Sequence, residues 1–563
     1  MASTILLEAH FRRGTLARKV PNMADPTQLP SLPNQPSRSA RSAWAPFHHR
    51  VYKLLWIATV ASNIGAWMYS AAASWLMTSL DPDPLMVALV QVATSLPMFL
   101  FAIPAGALAD IIDTRRFILA LEIGVAAVAA LFASLLSLDL AGPHTLLGFV
   151  FLVSSFAALE APAWQSIVPR LVPAHDLPAA VAANSVGVNI SRAIGPALAG
   201  VLISSFGIIA PFWLDAFSNL GVIAVFVWWR PRQTRQTPLP AERFAGAVRA
   251  GFRYALYNRP LRNTLGRAFG FFLFASAYWA LLPLVARSQI AGGPALYGVL
   301  LGAIGAGAVG CAFILPHLKA RFGADGLVVL GELGTALTLV LLGSASTPLI
   351  GIAACTIAGA SWISAISSLN ISAQVSLPDW VRGRGLAMYV TVFFGSMTLG
   401  SLIWGEVASI FGLPITHFIA AVGAVAAIPL TWRWRLQTEA GLDLTPSMDW
   451  PEPVLASPVS NDSGPVLVTV EYRIDTSKRA SFLRALSALA RERKRDGAYD
   501  WGIFEDAAEP GRLVETFLVE SWIEHMRQHE RVTKADRMIQ ARLRPFLQSE
   551  PIVTHLISAE RRG

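Results

Sequence analysis

Three ionisable residues, Glu122, Glu160 and Arg192, stand inside long apolar runs of the sequence. Arg192 lies about 14 residues, or about 20 Å, into its run, and the two glutamates lie about 9–12 Å into theirs. Charge at that depth is costly unless it faces a cavity or an opposite charge, so it usually marks a functional position. If one glutamate pairs with Arg192, protonation of the acid breaks the pair and couples proton entry to a change of shape. A permanent structural ion pair accounts for the same residues equally well.

Gly195-Pro196 and Gly200 follow Arg192 in the same run. A Gly-Pro pair kinks an apolar helix, and a glycine one turn later lets a second helix approach closely. These residues therefore predict a kink at a helix contact.

A second cluster, Gly106, Asp110, Arg115 and Arg116, joins glycine, acid and base at close spacing between two apolar runs. Charge placed where a helix leaves a membrane usually has a partner, so the cluster is a candidate for a polar contact at the end of the bundle. Charge that merely orients the chain in the membrane is the alternative, and it is the preferred explanation for Arg116 alone.

Amides inside the apolar runs are candidates for lining a substrate path, although each of them is more commonly a hydrogen-bonding group between helices. They are Asn63, Gln91, Gln165, Asn189, Asn370 and Gln374.

Composition indicates the kind of element that must position these residues. Of the 563 residues, 54% are hydrophobic and 14% are charged, against about 25% charged in a soluble domain. Mean hydropathy is +0.50. The net charge of +9 comes from bases beside apolar segments, which is typical of cytoplasmic loops rather than of nucleic-acid binding.

Twelve apolar segments approach the roughly 20 residues that a membrane-spanning helix requires. They lie near 52–79, 85–108, 117–138, 145–167, 179–204, 210–229, 264–286, 295–318, 326–346, 348–376, 385–411 and 414–433. Bases dominate alternate loops, and the loops between them carry acids such as Asp81, Asp83 and Asp139. This pattern predicts that both termini are cytoplasmic.

The predicted organisation is an all-α membrane protein of two six-helix halves followed by a small α+β domain. Its parts are a disordered tail (1–45), the first half (46–229), a basic cytoplasmic loop (230–263), the second half (264–436), a linker (437–464) and the α+β domain (465–563). The basic loop is expected to form an amphipathic helix on the anionic membrane surface. The last domain alternates strand, helix, two strands, helix and strand, which is the ferredoxin-like plan.

Motifs for other chemistry are weak. His525 and His529 have the i, i+4 spacing of metal ligands, but no third ligand is evident, so a solvated helix face is expected and no metal is predicted. No phosphate-binding Gly-x-x-x-x-Gly-Lys-Ser/Thr loop occurs, so energy would come from an ion gradient or from the substrate's own gradient. No cofactor and no enzymatic activity of the bundle are expected.

Residues 46–436 resemble the enterobactin-exporter-like branch of the major facilitator superfamily, also called transmembrane secretion effectors. The resemblance is carried by Pro162, by the run from Gln165 to Pro173, by Asn184 and Asn189-x-x-Arg192, and by Gly195-Pro196. Gly106 to Arg116 is similar to the superfamily's loop signature, with Asp113 at a position usually held by glycine. Residues 514–531 resemble ferredoxin-like domains of the antibiotic-biosynthesis monooxygenase type, which commonly dimerise through their sheets.

The resemblance implies a bacterial inner-membrane exporter of small molecules such as siderophores or antibiotics, working in exchange for protons. It implies that Asp110, Arg115 and Arg116 latch the two halves at the cytoplasmic face, and it favours an antiporter motif at Gly195-Pro196 over an ordinary kink. The role of Glu160 is inferred from its position alone. An alternative is that the last domain modifies or senses the substrate, or serves for dimerisation.

Overall fold

The computed structural model describes residues 44–229, 244–437, 443–445, 447 and 459–559, without the side chains of 107, 109–111, 244–248, 250 and 530. The predicted disordered tail therefore lies outside the described residues, apart from its last two positions. Helices make up most of the described chain, and one small sheet lies near its end.

The first half is built from six long helices. They are α1 (Arg50–Leu80), α2 (Pro84–Ile111), α3 (Thr114–Ser137), α4 (Pro143–Ile167), α5 (Leu177–Phe206) and α6 (Ala210–Trp228). Helix α1 packs against α5 and α6, and α2 packs against α4.

The second half follows a shorter connecting helix. The helices are α7 (Phe244–Tyr257), α8 (Arg259–Leu284), α9 (Pro294–Gly343), α10 (Pro348–Val375), α11 (Arg382–Phe411) and α12 (Leu413–Thr431). Helix α9 contains one non-helical residue, Gly323, with φ of 68°, a conformation that glycine adopts without a Cβ clash. The chain therefore bends there between two helical stretches.

Local sequence explains where the helices begin. Asp83 accepts hydrogen bonds from the first amides of α2, Asp113 caps α3, and Asn258 caps α8, so each satisfies amide groups that have no partner within the helix. Proline occupies the first turn of α2, α4 and α8, where its missing N–H costs nothing. Ten of the described helices are long and apolar enough to cross a membrane.

Two ends of the bundle are distinguished by charge. The basic end is the end where α2 meets α3, where α4 meets α5 and where α10 meets α11, and it carries Arg115, Arg116, Arg170, Arg382 and Arg384. The opposite end carries the turns at 81–83, 207–209, 290–293 and 412.

The tail domain, residues 459–559, contains a four-stranded antiparallel sheet in the order β2-β3-β1-β4. Its elements are β1 (Val466–Arg473), α13 (Arg479–Asp496), β2 (Tyr499–Glu505), β3 (Arg512–Val519), α14 (Trp522–Arg531), α15 (Lys534–Ala541) and β4 (Ile552–Ile557). The second helix expected in this domain is divided into α14 and α15, because Thr533 and Asp536 form a capping box that starts α15.

Helix α7 is not simply a surface helix. Tyr254 and Ala255 are buried, the Tyr254 hydroxyl donates to the Ser376 carbonyl at 3.4 Å, and the Arg495 guanidinium of the tail lies 5.4 Å from the Tyr254 ring centre. Phe252 on another face is 59% exposed. The expected helix is therefore present, and one of its faces is held between the bundle and the tail domain, while its contact with a membrane surface stays a prediction.

Candidate functional site

Helices α2 and α11 join the two halves from the middle of the bundle to its opposite end. The Ser95 and Thr398 hydroxyls are 2.7 Å apart, both buried. At the opposite end the Ser409 hydroxyl donates to the Asp83 carboxylate at 2.9 Å. This contact therefore runs over about half of the helix length.

Helix α1 contacts the second half at the same opposite end. Arg287 donates to the Thr78 hydroxyl at 3.0 Å and lies 5.8 Å from the centre of the Trp75 ring. Trp75 in turn stacks on Tyr297 with the ring centres 5.7 Å apart. These contacts close the bundle at the end that carries the acidic turns.

Helices α5 and α9 meet through small residues. A Cβ placed on Gly200 would lie 2.9 Å from the Gly298 Cα, and one placed on Gly305 would lie 3.1 Å from the Ala193 Cα. Such backbone approach is possible only where side chains are absent or small. Gly200 of the predicted kink motif thus forms part of the contact between the halves.

Gly195 serves a different contact, with α1. A Cβ there would lie 2.5 Å from the Trp67 Cβ and 3.0 Å from the Ile64 carbonyl oxygen. Pro196 is buried, and α5 continues through it. The kink motif therefore packs α5 against α1 and, one turn later, against α9.

One face of α5 changes from exposed to buried along its length. The face repeats every three or four residues, as a helix stripe does. Its members Ser185, Asn189 and Arg192 are exposed, whereas its members Pro196, Ala199 and Ile203 are buried. The large apolar residues Ile190, Ile194 and Val201 are exposed on another side. The polar half of the stripe therefore lines a space that opens toward the basic end.

Arg192 lies in that space with its guanidinium 5.4 Å from the centre of the Trp67 ring. A cation over an indole face is favourable, and more so away from water. Among the described residues Arg192 makes no salt bridge with Glu122 or Glu160. The considered ion pair is thus not formed in this structure, because the arginine and the glutamates face different neighbours.

The glutamates instead face each other. Glu160 on α4 and Asp215 on α6 both lie close enough to Glu122 on α3 to act on it electrostatically. Glu122 and Asp215 are buried, at 5% and 1% exposure. Neither Asp215 carboxylate oxygen is hydrogen-bonded by a described residue. We call Glu122, Glu160 and Asp215 the carboxyl cluster.

Asp215 is buried in a contact between α6 and α1. Its carboxylate meets α1 at Gly65, where a Cβ would lie 3.0 Å from Oδ1, and it lies near the buried Tyr69. The absence of a side chain at Gly65 lets α6 approach α1, so a contact between distant segments buries the acid. The position of Asp215 along α6 does not by itself predict this contact with α1.

The second half contains a related group of charged residues that was not predicted from the sequence. Arg267 on α8 pairs with Asp325, while Glu332 on α9 is 1% exposed and close enough to act on Arg267 electrostatically. The sequence does relate Glu332 to Glu122, because Leu-Glu122-Ile-Gly in the first half is repeated as Gly-Glu332-Leu-Gly in the second half.

The predicted latch residues lie within the first half. Arg115 donates from Nε to the Phe226 carbonyl at 2.8 Å and from Nη2 to the Val227 carbonyl at 3.2 Å, and Arg116 is exposed. A Cβ on Gly106 would meet open space. The side chain of Asp110 lies outside the described residues. A latch between the halves stays a prediction for a state in which the basic end is closed.

The amides predicted along a substrate path lie at several depths. Asn63, Gln91 and Asn370 are half-buried, and Gln165 and Gln374 are exposed near the basic ends of α4 and α10. Asn189 is exposed, and its amide donates to the Ser185 carbonyl at 2.8 Å. A path that these residues share stays a prediction.

The tail domain places three histidines together, which corrects the expectation of a solvated helix face. His525 and His529 on α14 are joined by His555 on β4, with ligand atoms within 4.8 Å of one another. His525 is 1% exposed. Burial lowers the pKa of His525 to about 3 and the pKa of His529 to about 4, and it also lowers the pKa of His555.

The position of His555 follows from strand register. It pairs with the buried Val468 of β1, so it points to the side of the sheet that the helices cover. His525 and His529 lie one turn apart on α14 above that side. The alternation of side chains between the two faces of β4 could therefore have identified His555 as the third histidine.

Comparison with known proteins gives a family and a fold. Residues 41–563 match the family model described as transmembrane secretion effector. The staphyloferrin A transporter of Staphylococcus aureus is 24% identical over 370 residues, which are 64% of this chain and 90% of that protein. The enterobactin exporter EntS of Citrobacter koseri is 23% identical over 389 residues, which are 67% of this chain and 90% of that protein.

Solved structures of transporters share the fold of the bundle. A bacterial homologue of the human lysosomal transporter Spinster, in an inward-facing and unoccupied conformation, matches with a TM-score of 0.52 at 15% identity over 69% of this chain and 97% of that chain. The nucleoside transporter NupG matches with a TM-score of 0.52 at 13% identity over 68% of this chain and 98% of that chain.

Proposed function

Because the chain belongs to the transmembrane secretion effector family of major facilitator transporters, we propose that it exports siderophores or chemically similar small molecules in exchange for protons. The family and the multi-pass membrane fold fit a transporter rather than an enzyme. The substrate class is proposed from the staphyloferrin A and enterobactin transporters that the chain resembles.

The proposed topology has twelve spans with both termini in the cytoplasm. Helix α1 supplies an eleventh span beside the ten apolar helices, and the bend at Gly323 divides α9 into two. The arginines at the basic end support a cytoplasmic orientation for that end. In this topology the tail domain is cytoplasmic.

A single observation carries the transport proposal, namely the α5 stripe that is exposed and polar toward the basic end and buried toward the opposite end. Together with the contacts at Ser95–Thr398 and Trp75–Tyr297, it supports a cavity open to the cytoplasm and closed to the outside. Alternating access requires such a state in a protein whose substrate binds between two halves. Arg192, exposed on the stripe, is the proposed anchor for an anionic substrate.

The carboxyl cluster is the proposed proton site. Three carboxyl groups that share one poorly solvated region cannot all be ionised at low cost, because buried charge without a partner is expensive. A proton that binds there neutralises the region, and its release restores repulsion between α3, α4 and α6. Proton exchange in this cluster would therefore act on how the helices of the first half pack.

The proposed architecture of the tail domain is ferredoxin-like, supported by the order of its strands and helices and by the sheet order β2-β3-β1-β4. We also propose that two chains associate through the open face of this sheet. Phe504, Ile552 and Leu556 are exposed there, and such apolar patches are typical of association surfaces. The mass of the full-length protein in lipid nanodiscs, compared with that of Leu556→Glu, would test the dimer.

The transport proposal is tested with inverted membrane vesicles that contain the full-length protein. Enterobactin, staphyloferrin A, macrolides and dyes are supplied outside, and uptake is followed with and without an uncoupler. We expect uptake of a siderophore that an uncoupler abolishes, with strong loss in Arg192→Ala and partial recovery in Arg192→Lys. Arg116→Ala is the matched control, because Arg116 is exposed at the basic end.

Different outcomes contradict different parts of the proposal. Uptake that survives the uncoupler would refute proton coupling while leaving export intact. Uptake of dyes or macrolides without any siderophore would refute the substrate class. Equal loss in Arg192→Ala and Arg116→Ala would refute the anchoring role of Arg192.

A further inference from the structure

We propose that His525, His529 and His555 form a binding site for a divalent transition metal ion, with Zn²⁺ as the reference ion. The proposal is independent of the transport function, because it concerns the tail domain alone. Neutral imidazole is a good ligand for zinc, copper and nickel, whereas magnesium and calcium prefer oxygen.

The distance between two of the rings fits a shared metal. His525 Nε2 and His529 Nε2 are 3.3 Å apart. Two nitrogens bound to one tetrahedral zinc at 2.0–2.1 Å are about 3.3–3.4 Å apart. The pair therefore already has the separation that zinc requires.

A neighbouring amide orients the buried ring. Gln528 Oε1 faces His525 Nδ1 at 3.4 Å, so Nδ1–H donates to Gln528 and the lone pair of Nε2 points toward His529. Metal-binding histidines are commonly held in this way through their second nitrogen. Because His525 and Gln528 are both buried, this orientation is fixed by packing.

His555 supplies the third ligand from a separate element. Its ring centre lies 4.6 Å from that of His525, and its ligand nitrogen lies within 4.8 Å of those of His525 and His529. Ligands from a helix and a strand would tie β4 to α14. Three protein ligands leave a fourth position for water or a substrate group, as in zinc sites that bind a reactant.

The nearest cation does not exclude a metal. Arg493 is close enough to act on His525 and His529 electrostatically. However, its guanidinium lies 5.2 Å from the Phe517 ring centre and 3.7 Å from the Glu515 carboxylate. Glu515 therefore offsets this charge on the sheet side of the site.

The test uses the full-length protein in detergent, purified without a polyhistidine tag and stripped of metal with a chelator. Zinc binding is measured by calorimetry in competition with a chelator of known affinity, and Co²⁺ is used as a spectroscopic probe of tetrahedral nitrogen coordination. We expect one zinc ion per chain. Loss of a residue that only hydrogen-bonds to a metal ligand weakens metal binding by about 10–100-fold. Loss of a ligand itself has a larger effect, so His529→Gln and His555→Gln should each weaken zinc binding by about a hundredfold or more.

The control is His144→Gln, because His144 is exposed at the start of α4, far along the chain from the tail domain. Both ligand variants should keep the wild-type resistance of the tail domain to protease, which separates ligand loss from misfolding. Failure of the wild type to bind zinc would overturn the proposal and identify the 3.3 Å contact as a hydrogen bond between two imidazoles. Binding that is equal in wild type and in both variants would overturn it as well.

Discussion

At the scale of single residues, the main feature of the bundle is a group of acidic side chains that act on each other electrostatically and, among the described residues, form no salt bridge with Arg192. Glu122 and Glu160 come from adjacent helices, and Asp215 acts on Glu122 from α6. In the proposed mechanism, a proton is exchanged at the carboxyl cluster while Arg192, beside Trp67, remains available for the substrate.

The first residue-scale prediction concerns Glu160. Glu160→Gln keeps the shape of the side chain but cannot release a proton, so we expect siderophore uptake into inverted vesicles to fall to the level seen with an uncoupler. Substrate binding, measured by calorimetry on the purified protein, should change little. Glu406→Gln is the matched control, because Glu406 is an exposed carboxyl group on α11. Uptake that retains its wild-type rate and its uncoupler sensitivity in Glu160→Gln would remove Glu160 from the proton site.

A second residue-scale prediction concerns Glu492 in the tail domain. Burial, with Asp536 nearby, raises the pKa of Glu492 to about 8, and Oε2 receives no hydrogen bond from a described residue. The folded state therefore holds a proton that the unfolded chain, with a pKa near 4.3, releases. Between those values the stability of the tail domain should fall as pH rises, by up to about 1.4 kcal/mol per unit, and level off above about 8.

This pH dependence is measured by hydrogen exchange of α13 amides in the full-length protein, corrected for the intrinsic exchange rate at each pH. Glu492→Gln should flatten the fall between pH 5 and pH 8 and protect α13 more strongly than wild type at pH 8. Parallel curves for wild type and variant would show that Glu492 is ionised in the folded domain.

At the scale of elements, the sequence predicts the helices far better than it predicts their contacts. Long apolar runs, together with prolines and acids at their starts, define helices such as α2 and α8 to within a few residues. The contacts of Arg115 with Phe226 and of Asp215 with Gly65 depend on how distant helices cross. His555 was missed for the same reason, because its partners come from another element.

The element-scale prediction concerns the contact between α5 and α9. Gly298→Leu would place a side chain where even a Cβ would lie only 3.0 Å from the Gly200 Cα and 3.1 Å from the Pro196 carbonyl oxygen. Overpacking of this kind costs about 1–3 kcal/mol, and it should open the contact that closes the opposite end.

The result of Gly298→Leu is measured as accessibility of a cysteine placed at Ala199, which is fully buried on the α5 stripe. Labelling from the opposite side of the membrane should increase in the leucine variant. Gly148→Leu is the control, because a Cβ on Gly148 meets open space. Equal labelling in both variants would show that the α5–α9 contact does not close this end.

At the scale of the whole molecule, cations stacked on aromatic rings attach the tail domain to the second half. Arg531 lies 4.6 Å from the Trp380 ring centre, and Trp380 meets Tyr254 edge to face at 5.6 Å. Arg495, held by Asp496 and Asp536, covers the other ring. The tail domain therefore rests on α7 and on the turn before α11, at the basic end of the bundle.

The prediction at this scale is that Trp380→Ala loosens the tail domain without unfolding it. A cation over an indole contributes about 0.5–2 kcal/mol, so the equilibrium constant for docking should fall by about twofold to thirtyfold. Hydrogen exchange of the α7 amides at residues 251–257 should accelerate, while exchange in β1 and β3 stays as in wild type. Arg249→Ala is the matched control, because Arg249 and Glu520 form a pair 3.6 Å apart whose members are both 65% exposed, and such pairs contribute little. If Trp380→Ala leaves α7 exchange unchanged, or if Arg249→Ala accelerates it equally, the stacked cations do not hold the tail domain against the bundle.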